Sequence, residues 1–166
     1  MQLRRLYIAV VVCIVATLSG VSLDALDRQA LGDVVDFSMT LEQIHHILEE
    51  EGAAALPSDR AVVLDGVVAE ILLIDPEPET FLAQIDLVSG RWIGLQDIRL
   101  YRAYVFVEGP QFAERLSAAP AARGAAADAI TTNSRVIVLG TIIDVYIEQD
   151  GSSAPIIDGF ELRPVN

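Results

Sequence analysis

No lysine occurs anywhere in the 166-residue chain, and its 11 basic residues, all arginine, face 24 aspartates and glutamates for a formal charge of −13. Proteins hold nucleic acid largely by neutralising its phosphates with Lys and Arg. A body this acidic repels a polyanion at long range, so nucleic acid is not an expected partner. Cysteine is almost as scarce: Cys13 is the only one, inside the N-terminal apolar run. A chain without that run has no thiol, which excludes disulfides, a thiolate nucleophile and cysteine-ligated zinc. The only histidines are the neighbours His45 and His46. Adjacent helical positions do not face each other, so the two cannot grip one metal. The chain also lacks a Gly-x-Ser-x-Gly elbow, a phosphate-binding glycine loop and a His-Glu-x-x-His pair. No catalytic residue, metal or cofactor is expected, and the chain does not read as an enzyme.

The N-terminus reads as an address. Arg4-Arg5 is followed by an uncharged run from Leu6 to Leu18 and then by the small residues Ser19, Gly20 and Ser22. Basic, apolar, small is the order of a secretory signal, and a cut between Ser22 and Leu23 places Gly20 and Ser22 where a signal peptidase needs small side chains. Residues 1–22 are therefore expected to be a signal peptide. The uncharged stretch 6–23 is also near the minimum for a membrane span, so an uncleaved anchor is the alternative and the one expected membrane contact. Either way the body is expected outside the cytoplasm, periplasmic or extracellular.

Residues 23–57 read as a linker and one helix. The segment 24–37 is acidic, with scattered apolar positions. From Thr40 to Glu51 the pattern is helical: Thr40 and Gln43 have capping-box spacing, and Leu41, Ile44, Ile47 and Leu48 share a face before Gly52. Residues 58–166 read as β. Ala61–Ile74 is a strand with Gly66 suggesting a bulge or bend. Asp75-Pro76-Glu77-Pro78-Glu79 is a solvated turn, with too few suitable ligands for calcium. Thr80–Val88 alternates and is closed by Ser89-Gly90. Arg91–Leu95 reads as a short strand of its own, Leu100–Val107 is a strong strand, and Phe112–Leu116 makes a helical turn. Ala118–Ala129 suggests a short helix interrupted at Pro120 and Gly124. Arg135–Ile147 is a long strand with Gly140 midway, followed by a turn at Asp150–Ser153 and a strand at Ile156–Leu162.

This order predicts a mainly β fold: a small five-stranded OB-type barrel with an N-terminal helix and a helical connection between its third and fourth strands. Mid-strand glycines suit a small barrel that turns sharp corners. Three stretches, Val62-Val63-Leu64-Asp65-Gly66-Val67-Val68, Ala103-Tyr104-Val105-Phe106 and Ser134-Arg135-Val136-Ile137-Val138-Leu139-Gly140-Thr141-Ile142, resemble the exported bacterial OB-fold proteins called tRNA-anti-like. The resemblance spans about residues 58–163. It implies a barrel and, through the family's name alone, nucleic acid; it carries over no functional residue. Arg91–Arg99 departs from it and reads as an insertion between the second and third strands.

The richest stretch for binding is Arg91–Arg102. It holds three arginines, the sole tryptophan and a single acid, Asp97. Guanidinium groups beside aromatics recognise anionic or flat ligands. Arg91, Trp92, Arg99, Arg102 and Tyr104 are therefore the candidate ligand residues, unless the arginines pair with neighbouring acids while the aromatics fill the core. The expected role is a non-enzymatic interaction module of the cell envelope that binds a protein, peptide or glycan.

The N-terminal reading has a direct check in cell fractionation followed by N-terminal sequencing. A soluble envelope form beginning near Leu23 is the expected product. A full-length form held in membranes establishes the anchor instead, and a full-length cytosolic form overturns export altogether.

Overall fold

The computed structural model describes residues 34–94, 97–118 and 128–165. The expected signal segment lies outside these residues, as does most of the Ala-rich stretch Ala118–Ala129. The fold is mainly β. Strand β1 (Val35–Asp36) precedes helix α1 (Leu41–Glu50) and a 3-10 turn at Ala53–Ala55. Then follow β2 (Ala61–Asp75), β3 (Leu82–Ile93), β4 (Asp97–Glu108), the short helix α2 (Pro110–Ala113), β5 (Arg135–Ile147) and β6 (Ser153–Pro164).

Helix α1 begins where the capping box places it. The Thr40 hydroxyl accepts from the Gln43 amide, and the Gln43 side chain accepts from the Thr40 amide. Two of the otherwise orphaned N–H groups of the first turn are satisfied in this way. Leu41 and Ile44, one turn apart, are buried, and Ile44 has no exposed surface. Burying such a side chain contributes about 2 kcal/mol. The helix is capped at Glu51, before Gly52 with φ of +83°.

The strands pair in the order β1-β2-β3-β4-β6-β5, and β5 also pairs with β2. From β2 through β3, β4, β6 and β5 the ladder therefore returns on itself as a ring. All its pairings are antiparallel except β4 with β6, which is parallel. Side chains alternate across each strand, so Phe81, Ala83, Ile85 and Leu87 all reach the core together with Val105, Val107, Val138, Ile157 and Leu162.

Two glycines allow the ring to close. Gly140 and Gly159 face each other across β5 and β6, at a shift in register. A Cβ on Gly140 would lie 2.5 Å from the Asp158 carbonyl oxygen, and one on Gly159 would lie 2.7 Å from Val105 of β4. Only glycines let β6 come so close to both neighbours at once.

The structure corrects several expectations. The sheet has six strands, not five, because Val35–Asp36, within the stretch read as linker, pairs in parallel with the start of β2. Ser89-Gly90 does not end β3, which runs on to Ile93. Arg91–Leu95 is not a strand of its own and Arg91–Arg99 is not an irregular insertion: the β3–β4 ladder continues through Arg91–Arg99 and Trp92–Ile98 to Ile93–Asp97. The two strands thus form a long two-stranded ribbon. Gly66 is not at a bulge; the β2–β3 register shifts after Val68, and Gly66 instead makes room for Leu87. The last strand starts at Ser153, earlier than Ile156. Between β4 and β5 the helical segment among the described residues is α2, one short turn. Among the described residues no helix is long and apolar enough to cross a membrane.

Gly140→Ala should lower stability by about 2 kcal/mol, since the new methyl meets a backbone oxygen that cannot rotate away. A urea titration followed by far-UV circular dichroism measures this, and an unchanged midpoint would show that the β5–β6 crossing accommodates a side chain at this point.

Candidate functional site

The register of the ribbon decides where the candidate residues go. Trp92 pairs with Ile98, Gly90 with Leu100, Val88 with Arg102 and Asp86 with Tyr104. Paired residues and every second neighbour share a face. Trp92, Arg102 and Tyr104 therefore lie on the outer face of the sheet. Arg91 and Arg99 are directly opposite each other on the other face, toward α1. The five candidates are not one surface but two.

Two arginines facing each other across a ladder repel. Helix α1 relieves this. Glu42 pairs with Arg91, and Glu49 approaches Arg99 at 4.0 Å. Between them His45 Nε2 lies 2.8 Å from the Arg102 carbonyl oxygen and 3.2 Å from its amide nitrogen, with its ring 5.5 Å from that of Tyr101. Glu42, His45 and Glu49 follow helical spacing along one side of α1. His46 points elsewhere, to Glu50 at 3.2 Å. Among the described residues no group of three or more His, Cys, Asp or Glu is placed to hold a metal.

On the outer face, Arg102 Nε lies 3.2 Å from Asp86 Oδ1, and its Nη1 lies 3.8 Å from Glu148 Oε1. The Tyr104 hydroxyl donates to Glu148, and its ring meets Tyr146 edge-on at 5.7 Å. Asp86 is mostly buried, and its Oδ1 has the ion pair but no hydrogen bond. Burial raises the Asp86 carboxyl above its ordinary value; Arg102 opposes this, and Glu70 and Glu148 add to it. Burial likewise raises the Tyr104 hydroxyl, assisted by its bond to Glu148. Burial works against the Arg102 charge, but Asp86, Tyr104 and Glu148 together outweigh it.

Trp92 does not fill the core. It is 66% exposed, as is Leu100, and Ile98 is 51% exposed. Tyr104 and Phe106 are half-buried. At the base of the ribbon lies a cleft of about 610 Å³, walled by Leu100, Tyr101 and Arg102 of β4, by Tyr146 of β5, and by His45 and Glu49 of α1. Glu148, Asp150 and Ser152 of the β5–β6 turn form its far rim. Ser152 donates its hydroxyl to Asp150 at 2.7 Å, and this bond lowers the Asp150 carboxyl below its ordinary value. Such a cleft offers apolar walls, exposed carboxylates and a strand edge, which suits it to binding. His45, Glu49, Tyr146 and Glu148 were not among the sequence candidates. The one hint of them was an aromatic, Tyr146, two residues before an acid on an exposed strand end.

No family model matches the chain, and no curated protein matches it. Among solved structures, it is similar to a small single-stranded DNA-binding protein from Streptomyces coelicolor, at 13% identity and a TM-score of 0.38. That match covers 63% of this chain and 91% of the other.

The Asp86 carboxyl gives a pH signature. It binds its proton more tightly in the folded state than in the unfolded one. Stability is therefore lost as pH rises from the ordinary value of 3.8 through the raised one. Asp86→Asn cannot ionise and leaves Arg102 with Glu148. Its urea midpoint relative to wild type should rise as pH climbs above the ordinary carboxylate value of 3.8. A difference that stays flat or falls with pH would mean that Arg102 fully compensates the carboxylate.

Proposed function

We propose that this chain is a non-enzymatic interaction module of the cell envelope, an OB-type barrel whose ribbon and adjoining cleft hold a protein or peptide partner. The ring order β2-β3-β4-β6-β5, with its single parallel pairing, supports the OB reading. One observation carries the choice of partner. All seven described arginines, Arg60, Arg91, Arg99, Arg102, Arg115, Arg135 and Arg163, lie within 4.0 Å of a carboxylate. A phosphate backbone would have to displace these acids one by one. Meanwhile Trp92, Ile98 and Leu100 present bare apolar surface on the ribbon, the kind of surface that marks a protein contact. Export follows in this reading from the N-terminal order of basic, apolar and small residues.

A photo-crosslinking side chain in place of Leu100 should trap a discrete adduct in cells, while the same group in place of the exposed Leu72 on β2 should not. Equal labelling at both positions, or none at Leu100, removes the ribbon as the contact. In a gel shift at low salt, where attraction to phosphate is strongest, single-stranded DNA and RNA should migrate unchanged. A salt-sensitive shift would make nucleic acid the partner after all.

A further inference from the structure

Strands β4 and β6 are neighbours for only three residues, pairing at Tyr104–Ile156, Val105–Ile157 and Phe106–Asp158. Both begin earlier, at Asp97 and Ser153. Upstream of the contact each remains paired on its far side, β4 with β3 and β6 with β5. They splay apart toward each other's start, and the 610 Å³ cleft lies where they part.

The contact with His45 shows which groups of β4 face this opening. Its Nε2 reaches both the carbonyl oxygen and the amide of Arg102. In an antiparallel ladder, alternate residues turn their amides to the same side. Leu100 and Ile98 therefore turn theirs into the opening as Arg102 does, and neither pairs with a strand there. The His45 ring sits where the backbone of one further strand residue would bond.

We infer that the β4 edge from Ile98 to Arg102 takes up an extended peptide of alternating apolar and cationic residues as an additional strand. This deepens the interaction-module reading and rests on it. Strand addition supplies main-chain hydrogen bonds, and alternate side chains supply selectivity. Peptide residues beside Ile98 and Leu100 share their exposed apolar face. The residues between them point to the α1 side, where Glu49 is held by Arg99 only at 4.0 Å. Glu148 and Asp150 rim the far wall; of the two arginines that line the cleft, Arg102 is engaged by Asp86 and Glu148, and Arg99 stands beside Glu49. Carboxylates thus outnumber available cations around the groove, in a protein of charge −13. An acidic peptide is repelled, and a basic one is drawn in.

The test uses the purified full chain and a fluorescently labelled short peptide alternating lysine with valine, read by anisotropy at low salt. Three comparisons are needed: the same peptide N-methylated at alternate backbone amides in either register, and a glutamate–valine peptide. The lysine–valine peptide should bind. N-methylation in one register should weaken binding about tenfold, the scale of one or two lost hydrogen bonds, and the glutamate–valine peptide should not bind. His45→Ala should tighten binding by uncovering Arg102. Leu100→Pro removes an amide turned away from β3, a substitution that edge strands tolerate, and should weaken binding more than Leu100→Ala. Where the proline variant does not fold, the N-methyl comparison still decides. Equal binding of the parent and both N-methylated peptides overturns strand addition, as does no binding at all. Sedimentation showing that the edge is closed by a second copy of this chain overturns it too. The interaction-module reading survives each of these results if the Leu100-selective crosslink still forms.

Discussion

Closure of the ring depends on the crossing of β6 between β5 and β4, where Gly140 and Gly159 face each other without side chains. A strand with a Cβ at either point would be held away from its neighbour, and the single parallel contact in the ring would open. The tightness of that crossing also accounts for its brevity. Strands forced together at one point and twisting with the ordinary hand of β structure diverge on either side of it. The cleft is the space left by that divergence, so the feature that closes the ring also leaves part of it unpaired.

Helix α1 answers the unpaired region. One side, with Leu41 and Ile44, adds to the apolar core. The adjoining side carries Glu42, His45 and Glu49 to the ribbon, where they meet Arg91, the Arg102 backbone and Arg99. Each polar contact is modest, since exposed ion pairs contribute at most about 1 kcal/mol. Their role is positional: they fix the helix along a ribbon that has no strand on that flank. The arginines that looked available in isolation are thereby spent on holding the protein's own parts together.

Much of the fold was legible because it is local. Alternation in Thr80–Val88 reports a strand with one buried side, and the Thr40–Gln43 capping box reports a helix start; both need only neighbouring residues. The ribbon was missed because Gly90 in a strand pattern resembles a stop, and nothing nearby shows that Leu100 lies across from it. The arginine partners were hidden for the same reason. Glu42 and Arg91 are 49 residues apart, and Asp65 and Arg135 are 70 apart. With acids so abundant, the sequence offers many partners for each arginine and only the ring's topology selects among them. The same holds for His45, whose spacing to Glu49 fits an ordinary pair within one helix but whose contact is with a backbone on another element. Trp92 reads as core material by its chemistry. It is exposed because the β3–β4 register puts it on the outer face, opposite in phase to the buried Ile85 and Leu87.

The position of Trp92 has a spectroscopic consequence. The only indole in the chain sits in water while the protein is folded, so its emission starts near the solvent-exposed limit and has little further to move on denaturation. The usual fluorescence signal of unfolding is nearly silent here. What the indole does report is the ribbon itself: anything that comes to lie against Ile98 and Leu100 takes it out of water and shifts its emission to the blue, with no label added and no other tryptophan to dilute the change.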